Sequence, residues 1–292
     1  MKNFSKPVLF LFLILAIVSW GGSWPAGKIL SQMAAPEVLT FWRFLFVSIS
    51  FAPIVFLSRQ NMRVASMRAF VYILVAAIAF VLYFFFFFLA LRQGSAGLGS
   101  VIVNGLNPIF TFLAMMILFK KTIAMRALYG LALGLAGGLV LFEVWKLNGT
   151  LLTASGNAYF LACALFLSIM TIAASKAHEY ISPIVFDFYV FSAVAIVAFF
   201  LALPHGIGTP LAFGAPFWYG ILYMSLVATT FGVGVYFFAS RMLGAARASS
   251  FTFLAPVSAV FASWIFLSET PALSTLIGGG MAVFGVYLIN KE

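Results

Sequence analysis

Long apolar runs follow one another along almost the whole chain, and they limit the folds open to it. A run of about 18 or more apolar residues is long enough to cross the hydrocarbon core of a bilayer as one helix. Ten runs have this character: 8–27, 36–57, 69–91, 95–118, 125–142, 157–175, 182–203, 217–240, 247–267 and 272–290. Short loops join them, which leaves no room for a domain outside the membrane. The sequence therefore predicts an all-α polytopic membrane protein with ten transmembrane helices.

The basic residues are distributed unequally between the two sides of the predicted membrane. Charged residues make up only 8% of the chain, yet its net charge is +10. If the N-terminus lies inside, twelve Lys and Arg residues fall on the inner side, whereas the outer side has only Lys28, Arg92 and Lys146. An excess of Lys and Arg in cytoplasmic loops sets the orientation of membrane proteins. We therefore predict a protein of the plasma (bacterial inner) membrane with both termini cytoplasmic, and no nucleic acid as partner.

The two halves of the chain resemble each other at a nearly constant offset. Residues 88–108 align with 237–256, and "FWRF" at 41–44 aligns with "FYVF" at 188–191. The offset stays between 147 and 149 residues, close to half of the chain. This regularity predicts a duplication that covers nearly the whole sequence.

The duplication predicts two repeats, residues 1–146 and 147–292, with five helices each. An odd number of spans forces the second repeat to cross the membrane in the opposite orientation. Inverted repeats recur in secondary transporters, because two similar halves that exchange conformations convert an outward-open state into an inward-open one. The architecture therefore favours a transporter that works by alternating access.

Four motifs resemble those of the drug/metabolite transporter superfamily, and in particular its ten-helix EamA family. They are "WGGSWPAGK" (20–28), "FWRF" (41–44), "ALRQGSAG…NP" (90–108) and "LSET" (267–270). The resemblance implies export of small metabolites, among them amino acids, through a central cavity between the halves. One departure is visible: members often have a Gly-Glu pair before the last span of each half, and here the second half keeps Glu269 while the first has Lys120 and Lys121.

The stretch "VIVNGLNPIF" (101–110) places polar groups and a proline within the fourth apolar run. Pro108 has no N–H, so the carbonyl of Asn104 loses its helical partner. Irregular backbone survives at membrane depth only inside protein or beside a water-filled cavity. Asn104 and Asn107 are therefore predicted to line a substrate cavity, and Pro108 with Gly105 to form a hinge.

The aligned position in the second half carries the same signal, because Pro256 frees the carbonyl of Thr252 in the same way. We predict that Pro256 is the second hinge and that Thr252 contacts substrate. Two alternatives stay open: each asparagine can instead hydrogen-bond to a neighbouring helix, and each proline can be a static kink.

Aromatic and hydroxyl side chains at other positions suit an amphipathic solute, since they combine apolar faces with hydrogen-bonding groups. The predicted substrate-binding set includes Trp20, Ser23, Trp24, Tyr83, Phe87 and Tyr236. Trp24 has the alternative role of an interfacial anchor, and most of "YFFFFF" (83–88) is expected to face lipid. The glycines Gly130, Gly134 and Gly138 are instead predicted to serve close helix packing.

Arg43 lies about two turns inside the second run from its outer end. Ionisable groups inside a membrane are costly and commonly functional. We predict that Arg43 attracts carboxylate-bearing substrates in an outer vestibule, with snorkelling to the interface as the alternative.

Three classes of function remain to be compared. An enzyme is disfavoured, because the chain offers no nucleophile–base constellation and no metal-ligand spacing, and we expect neither cofactor nor metal. Two kinked, near-symmetric helices at the membrane midplane fit the moving gate of a transporter better than a static channel. We predict a monomeric exporter of small organic metabolites, most notably amino acids, with efflux of lipophilic compounds as the alternative.

Overall fold

The computed structural model describes residues 6–119, 125–141, 143, 145, 156–243, 248 and 251–290. Its helices are α1 (Lys6–Ser31), α2 (Pro36–Leu57), α3 (Met67–Gln93), α4 (Ala96–Phe119), α5 (Met125–Leu141), α6 (Asn157–Ala177), α7 (Pro183–Ala202), α8 (Ala215–Leu222), α9 (Gly232–Leu243), α10 (Leu254–Leu267) and α11 (Leu273–Asn290). A π-helical segment, π1 (Tyr223–Phe231), joins α8 directly to α9. No β-strand occurs in these ranges, and the prediction of an all-α protein is confirmed.

Seven of the helical segments are long and apolar enough to cross a membrane, and the continuous segment Ala215–Ser240 is one of them. Three shorter apolar helices, Leu128–Val140, Leu254–Leu267 and Leu273–Gly285, coincide with the predicted fifth, ninth and tenth spans. Many large apolar side chains also point outward, among them Phe200, which is 64% exposed. Such surfaces suit lipid rather than water. The chain is a multi-pass membrane protein, and the number of ten spans stays a prediction.

Local chemistry explains several helix boundaries. Pro36 and Pro183 stand at the first positions of α2 and α7, where a missing N–H costs no hydrogen bond. The Ser66 hydroxyl accepts a hydrogen bond from the N–H of Arg68 and caps α3. Gly156 precedes α6 with a φ of 72° and lies where an added Cβ would be 2.7 Å from the carbonyl oxygen of Ala90. Because glycine has no Cβ, it allows both the left-handed backbone conformation and this close approach.

The main helix contacts occur in matching pairs. Helix α3 packs on α6 as the π1–α9 segment packs on α1, and α4 packs on α6 as α10 packs on α1. The remaining large contacts, α2 with α7 and α5 with α11, join helices at equivalent places in the two halves. This pattern is the one expected of two similar halves related by a pseudo-two-fold axis. The repeat boundaries and the inverted orientation of the second half nevertheless stay predictions.

Glycines bring α5 and α11 together. An added Cβ at Gly137 would lie 2.7 Å from the carbonyl oxygen of Gly278, and one at Gly285 would lie 2.6 Å from that of Gly130. Small residues allow this approach, and dispersion contacts between backbones then hold the pair in a lipid environment that offers no hydrophobic driving force.

Candidate functional site

Trp24, Tyr83 and Phe87 are brought together, but they lie in the packed interior. Their side chains are 5%, 8% and 2% exposed. The Trp24 ring lies 5.0 Å from that of Phe87, edge to face, and Tyr83 stacks on Phe87 at 5.8 Å. Helices α1 and α6 cover this face of α3. The three residues therefore form a packed aromatic cluster in this structure, and their role in substrate binding stays a prediction.

Trp20 and Tyr236, by contrast, meet across the two halves of the chain with their side chains partly exposed. Their ring centroids are 5.6 Å apart, with Trp20 on α1 and Tyr236 on α9. The indole nitrogen of Trp20 also lies beside Gly232, where π1 ends. Ser23, which is 9% exposed, donates its hydroxyl proton to the carbonyl of Trp20 one turn earlier. This tilted aromatic pair is the part of the predicted aromatic set that remains accessible.

The two asparagines of α4 are tied to their own helix. Asn104 donates from Nδ2 to the carbonyl oxygen of Ser100 at 2.9 Å. Asn107 accepts from the hydroxyl of Thr111 at 3.3 Å. Neither amide bonds to another helix in the described part of the chain. The structure thus gives no interhelical role to either residue, and cavity lining stays a prediction for both.

The two predicted hinge prolines occupy different places. Pro108 lies within α4, which continues on both sides of it, and Gly105 packs where an added Cβ would be 3.0 Å from Ala282 on α11. Pro256 instead lies in the first turn of α10, directly after the 3₁₀ turn Phe251–Phe253 that contains Thr252. A proline in a first turn removes no ladder hydrogen bond. The described helix α10 begins at Leu254, two residues before Pro256, and a hinge at Pro256 stays a prediction.

Arg43 is buried in this structure, and its predicted role in an outer vestibule stays a prediction. Its side chain is 6% exposed. Nη2 donates to the hydroxyl of Thr229 at 3.2 Å, and the guanidinium carbon lies 4.4 Å from the ring centroid of Phe84. The Nε atom is buried without a hydrogen-bond acceptor. At this exposure the side chain does not reach solvent, so it does not snorkel in this conformation.

Hydroxyl side chains of π1 contact Arg43 and the helix α2 that carries it. Ser225 donates to the carbonyl oxygen of Arg43 at 3.0 Å, and Thr230 lies 2.6 Å from the hydroxyl of Ser50. Thr229 donates to the carbonyl of Met224, five residues earlier, which is the spacing of a π-helix. We name this set the polar cluster: Arg43, Ser50, Ser225, Thr229 and Thr230. Sequence reasoning missed all of it except Arg43, although three hydroxyls within "SLVATT" were a signal.

A second polar group, the outer network, joins the halves at the predicted outer end. Lys28 lies 3.7 Å from Glu269, whose other carboxylate oxygen accepts from the Ser95 hydroxyl at 2.7 Å and from the N–H of Gly97 at 3.2 Å. The carboxylate therefore sits at the positive N-terminus of α4. Lys28 also donates to the carbonyl of Gly94. Sequence analysis noted Glu269 only as a family feature and gave Lys28 no role.

Metal chemistry finds no place among the residues of the described ranges. They contain no group of three or more His, Cys, Asp or Glu side chains arranged to hold an ion. Cys163 is a buried free thiol that donates to the carbonyl oxygen of Tyr83 at 3.6 Å.

Comparison with known proteins shows similarity along the chain. The sequence profile of the EamA-like transporter family matches residues 8–142 and 154–291. A probable amino-acid metabolite efflux pump of Salmonella typhimurium is 26% identical over 94% of this chain and 92% of its own length. A WAT1-related chloroplastic protein of Arabidopsis thaliana is 28% identical over 68% of this chain, which spans about half of that relative (49%). A protein of known crystal structure shares the fold with a TM-score of 0.63 at 18% identity, over 97% of this chain and 96% of that one.

Proposed function

Since this chain belongs to the EamA-like transporter family, we propose that it exports small organic metabolites, amino acids foremost among them, across the plasma membrane by alternating access. Transport is the activity that the family implies. The substrate and the mechanism are our proposal, and each rests on a separate feature of the molecule.

The polar cluster carries the proposal. Arg43 and Ser50 belong to α2 in the first half, whereas Ser225, Thr229 and Thr230 belong to π1 in the second. Burying a cation among apolar helices costs several kcal/mol, and π-helical turns within α-helices are frequently found at functional sites. A buried polar group at the junction of two halves suits the midplane binding site of a secondary transporter.

The outer network supports alternating access. Lys28 and Glu269 come from opposite halves, so an opening at the outer end has to separate them. The aligned positions at the inner end are Lys176 and Lys121, two like charges, of which Lys121 lies outside the described residues. The attraction between Lys28 and Glu269 favours a resting state that is closed to the outside.

Amino acids fit the available groups. The Trp20–Tyr236 pair offers apolar ring faces to the side chain of a bound amino acid. The polar cluster offers a charge and hydroxyl groups to its amino and carboxylate groups. The similarity to a probable amino-acid metabolite efflux pump of Salmonella typhimurium points the same way. Sites for small molecules are typically apolar with a few well-placed polar groups.

A second candidate, efflux of lipophilic compounds, is favoured by one apolar groove between α1 and α9. The groove has a volume of about 280 Å³ and is lined by Leu9, Phe12, Phe231, Gly234, Val235 and Phe238. It contains no charged residue, so it would admit an uncharged apolar solute.

Counterflow in proteoliposomes tests the proposal. Vesicles loaded with one unlabelled amino acid at a time are diluted into the labelled form, and protein-free vesicles serve as the control. Saturable accumulation that depends on the internal solute supports exchange by alternating access. If only lipophilic dyes are moved, the second candidate replaces the first, and a non-saturable conductance would show a channel.

A further inference from the structure

Arg43 carries a charge for which the described part of the chain provides no ion-pair partner. It lies seven residues after the start of α2 and is 6% exposed. Buried charges in proteins are normally paired, because desolvation of a single ion costs several kcal/mol. Among the residues that the structure describes, no carboxylate forms an ion pair with Arg43. A guanidinium keeps its proton in proteins, so the side chain carries a positive charge.

The described side chains accept hydrogen bonds from only some of the N–H donors of the Arg43 guanidinium. It has five N–H donors, and among the described residues only Thr229 accepts from it, at 3.2 Å. Phe84 offers the electron-rich face of its ring at 4.4 Å, which stabilises a cation without accepting a conventional hydrogen bond. The Nε–H is buried and has no acceptor. A buried donor without an acceptor is destabilising unless a ligand supplies one.

The surrounding contacts hold the guanidinium in place. Ser225 bonds to the backbone carbonyl of Arg43 at 3.0 Å, and Ser50 bonds to Thr230 seven residues further along α2. Both contacts fix α2 against π1 on either side of the guanidinium. An arginine that is positioned before binding loses less conformational entropy when a ligand arrives.

The other half of the chain shows that the fold does not need a cation at this place. In the alignment of "FWRF" with "FYVF", Arg43 corresponds to Val190, which is completely buried. Valine packs between the helices there without any polar partner. The charge in the first half is therefore better explained by a ligand than by packing.

We propose that Arg43 binds the carboxylate of the transported solute, so that the substrates of this protein are carboxylate-bearing small molecules such as zwitterionic amino acids and hydroxy acids. This inference rests on the proposed transport function and adds the group that selects the substrate. The planar guanidinium matches a carboxylate with two parallel N–H···O bonds. The bound solute then supplies the missing counter-ion, and the loaded site carries less net charge than the empty one.

A panel of matched solutes tests this inference. Each labelled carboxylic acid, for example phenylalanine or leucine, is paired with the amide of the same carbon skeleton, and both are measured in counterflow. The wild-type protein is expected to prefer the acids by about tenfold to 100-fold, the range that one hydrogen-bonded charge contributes. Arg43→Gln should raise KM for the acids by a similar factor and leave the amides nearly unchanged. Arg43→Lys, which keeps the charge and loses the planar fork, should fall between them.

Thr40→Val is the matched control. Thr40 is buried one turn from Arg43 on α2, and its hydroxyl bonds only to the Pro36 carbonyl of the same helix. This variant should leave the preference for acids over amides unchanged, whether or not it lowers transport as a whole. If Arg43→Gln fails to fold, the wild-type preference still decides, together with the thermal stabilisation of purified protein by each acid and its amide.

Each result has a defined meaning. A panel in which no solute is transported contradicts the proposed function. Transport of acids and amides with equal KM by the wild-type protein contradicts the role of Arg43 and leaves transport standing. An equal loss for both classes in Arg43→Gln assigns the residue to structure and overturns the inference.

Discussion

The ammonium group of Lys28 lies 3.7 Å from the carboxylate of Glu269, and this contact links the end of α1 to the loop between α10 and α11. Both side chains are partly buried, at 25% and 19% exposed. The same carboxylate holds the first turn of α4 through Ser95 and Gly97. Helices α1 and α4 of the first half are thus tied to the loop between α10 and α11 at one point on the predicted outer side.

Glu269→Gln is expected to loosen the outer end. The substitution removes the charge that attracts Lys28, and an ion pair at this exposure contributes up to about 1 kcal/mol, which is about fivefold in a two-state population. In a background without Cys163, a cysteine at Val260, beneath the network, should react about fivefold faster with an impermeant thiol reagent added outside. Lys176→Gln, which removes a pair with Glu179 elsewhere, should cause no increase. An unchanged rate in Glu269→Gln would show that the network does not close the outer end.

The orientation prediction can be tested at two loop positions. Asn61 lies in the exposed loop before α3, and Gly208 lies between α7 and α8 with open space where a side chain would project. Because the basic residues concentrate on one side, a cysteine at Gly208 should be labelled in intact cells and one at Asn61 only after lysis. Labelling of Asn61 in intact cells would reverse the assignment.

Tyr236 and Trp20 are expected to contribute an apolar face to the solute. Tyr236→Ala should raise KM for aromatic amino acids by about twofold to tenfold, since an aromatic contact is worth about 0.5–1.5 kcal/mol. Tyr236→Phe keeps the ring and should retain most of the affinity. Phe200→Ala, on the exposed face of α7, serves as the control for a lost ring. A KM in Tyr236→Ala equal to that of the wild-type protein would remove this pair from the site.

Phe87 and Asn104 should respond differently to truncation. Phe87→Ala opens a cavity in the aromatic core and should lower the free energy of unfolding in detergent by about 3–5 kcal/mol. Asn104→Ala loses contacts within α4 only, so we expect a cost of about 1 kcal/mol or less together with slower transport. If Asn104→Ala transports at the wild-type rate, the residue does not line the cavity.

The two proline substitutions are expected to differ in effect, because Pro108 lies inside α4 and Pro256 lies in the first turn of α10. Pro108→Ala adds an N–H that can complete the ladder inside α4, and we expect it to slow exchange and to shift cysteine accessibility toward one face. Pro256→Ala lies in a first turn, where the N–H has no helical partner, and should have a small effect. Equal rates for Pro108→Ala and the wild-type protein, measured by counterflow, would exclude a hinge in α4.

The sequence alone determined the fold class, the membrane location and the family. These properties depend on local features: the length of each apolar run, the sign of charge in each loop and short motifs in a fixed order. The structure confirmed the all-α multi-pass character, and the family profile confirmed the resemblance. The pairing of Trp20 with Tyr236 was also within reach, since both residues were chosen as aromatic candidates.

Only the tertiary structure decided which face of each helix is covered. In a membrane protein both the lipid-facing and the core-facing sides of a helix are apolar, so periodicity does not mark the buried side as it does in soluble proteins. For this reason the sequence does not show that Trp24 and Phe87 pack in the interior, which the structure does. The burial of Arg43 against Thr229, and the contact of Lys28 with Glu269, join residues 186 and 241 positions apart in the chain. Contacts at such separations follow from the packing of helices against one another, and no local pattern encodes them.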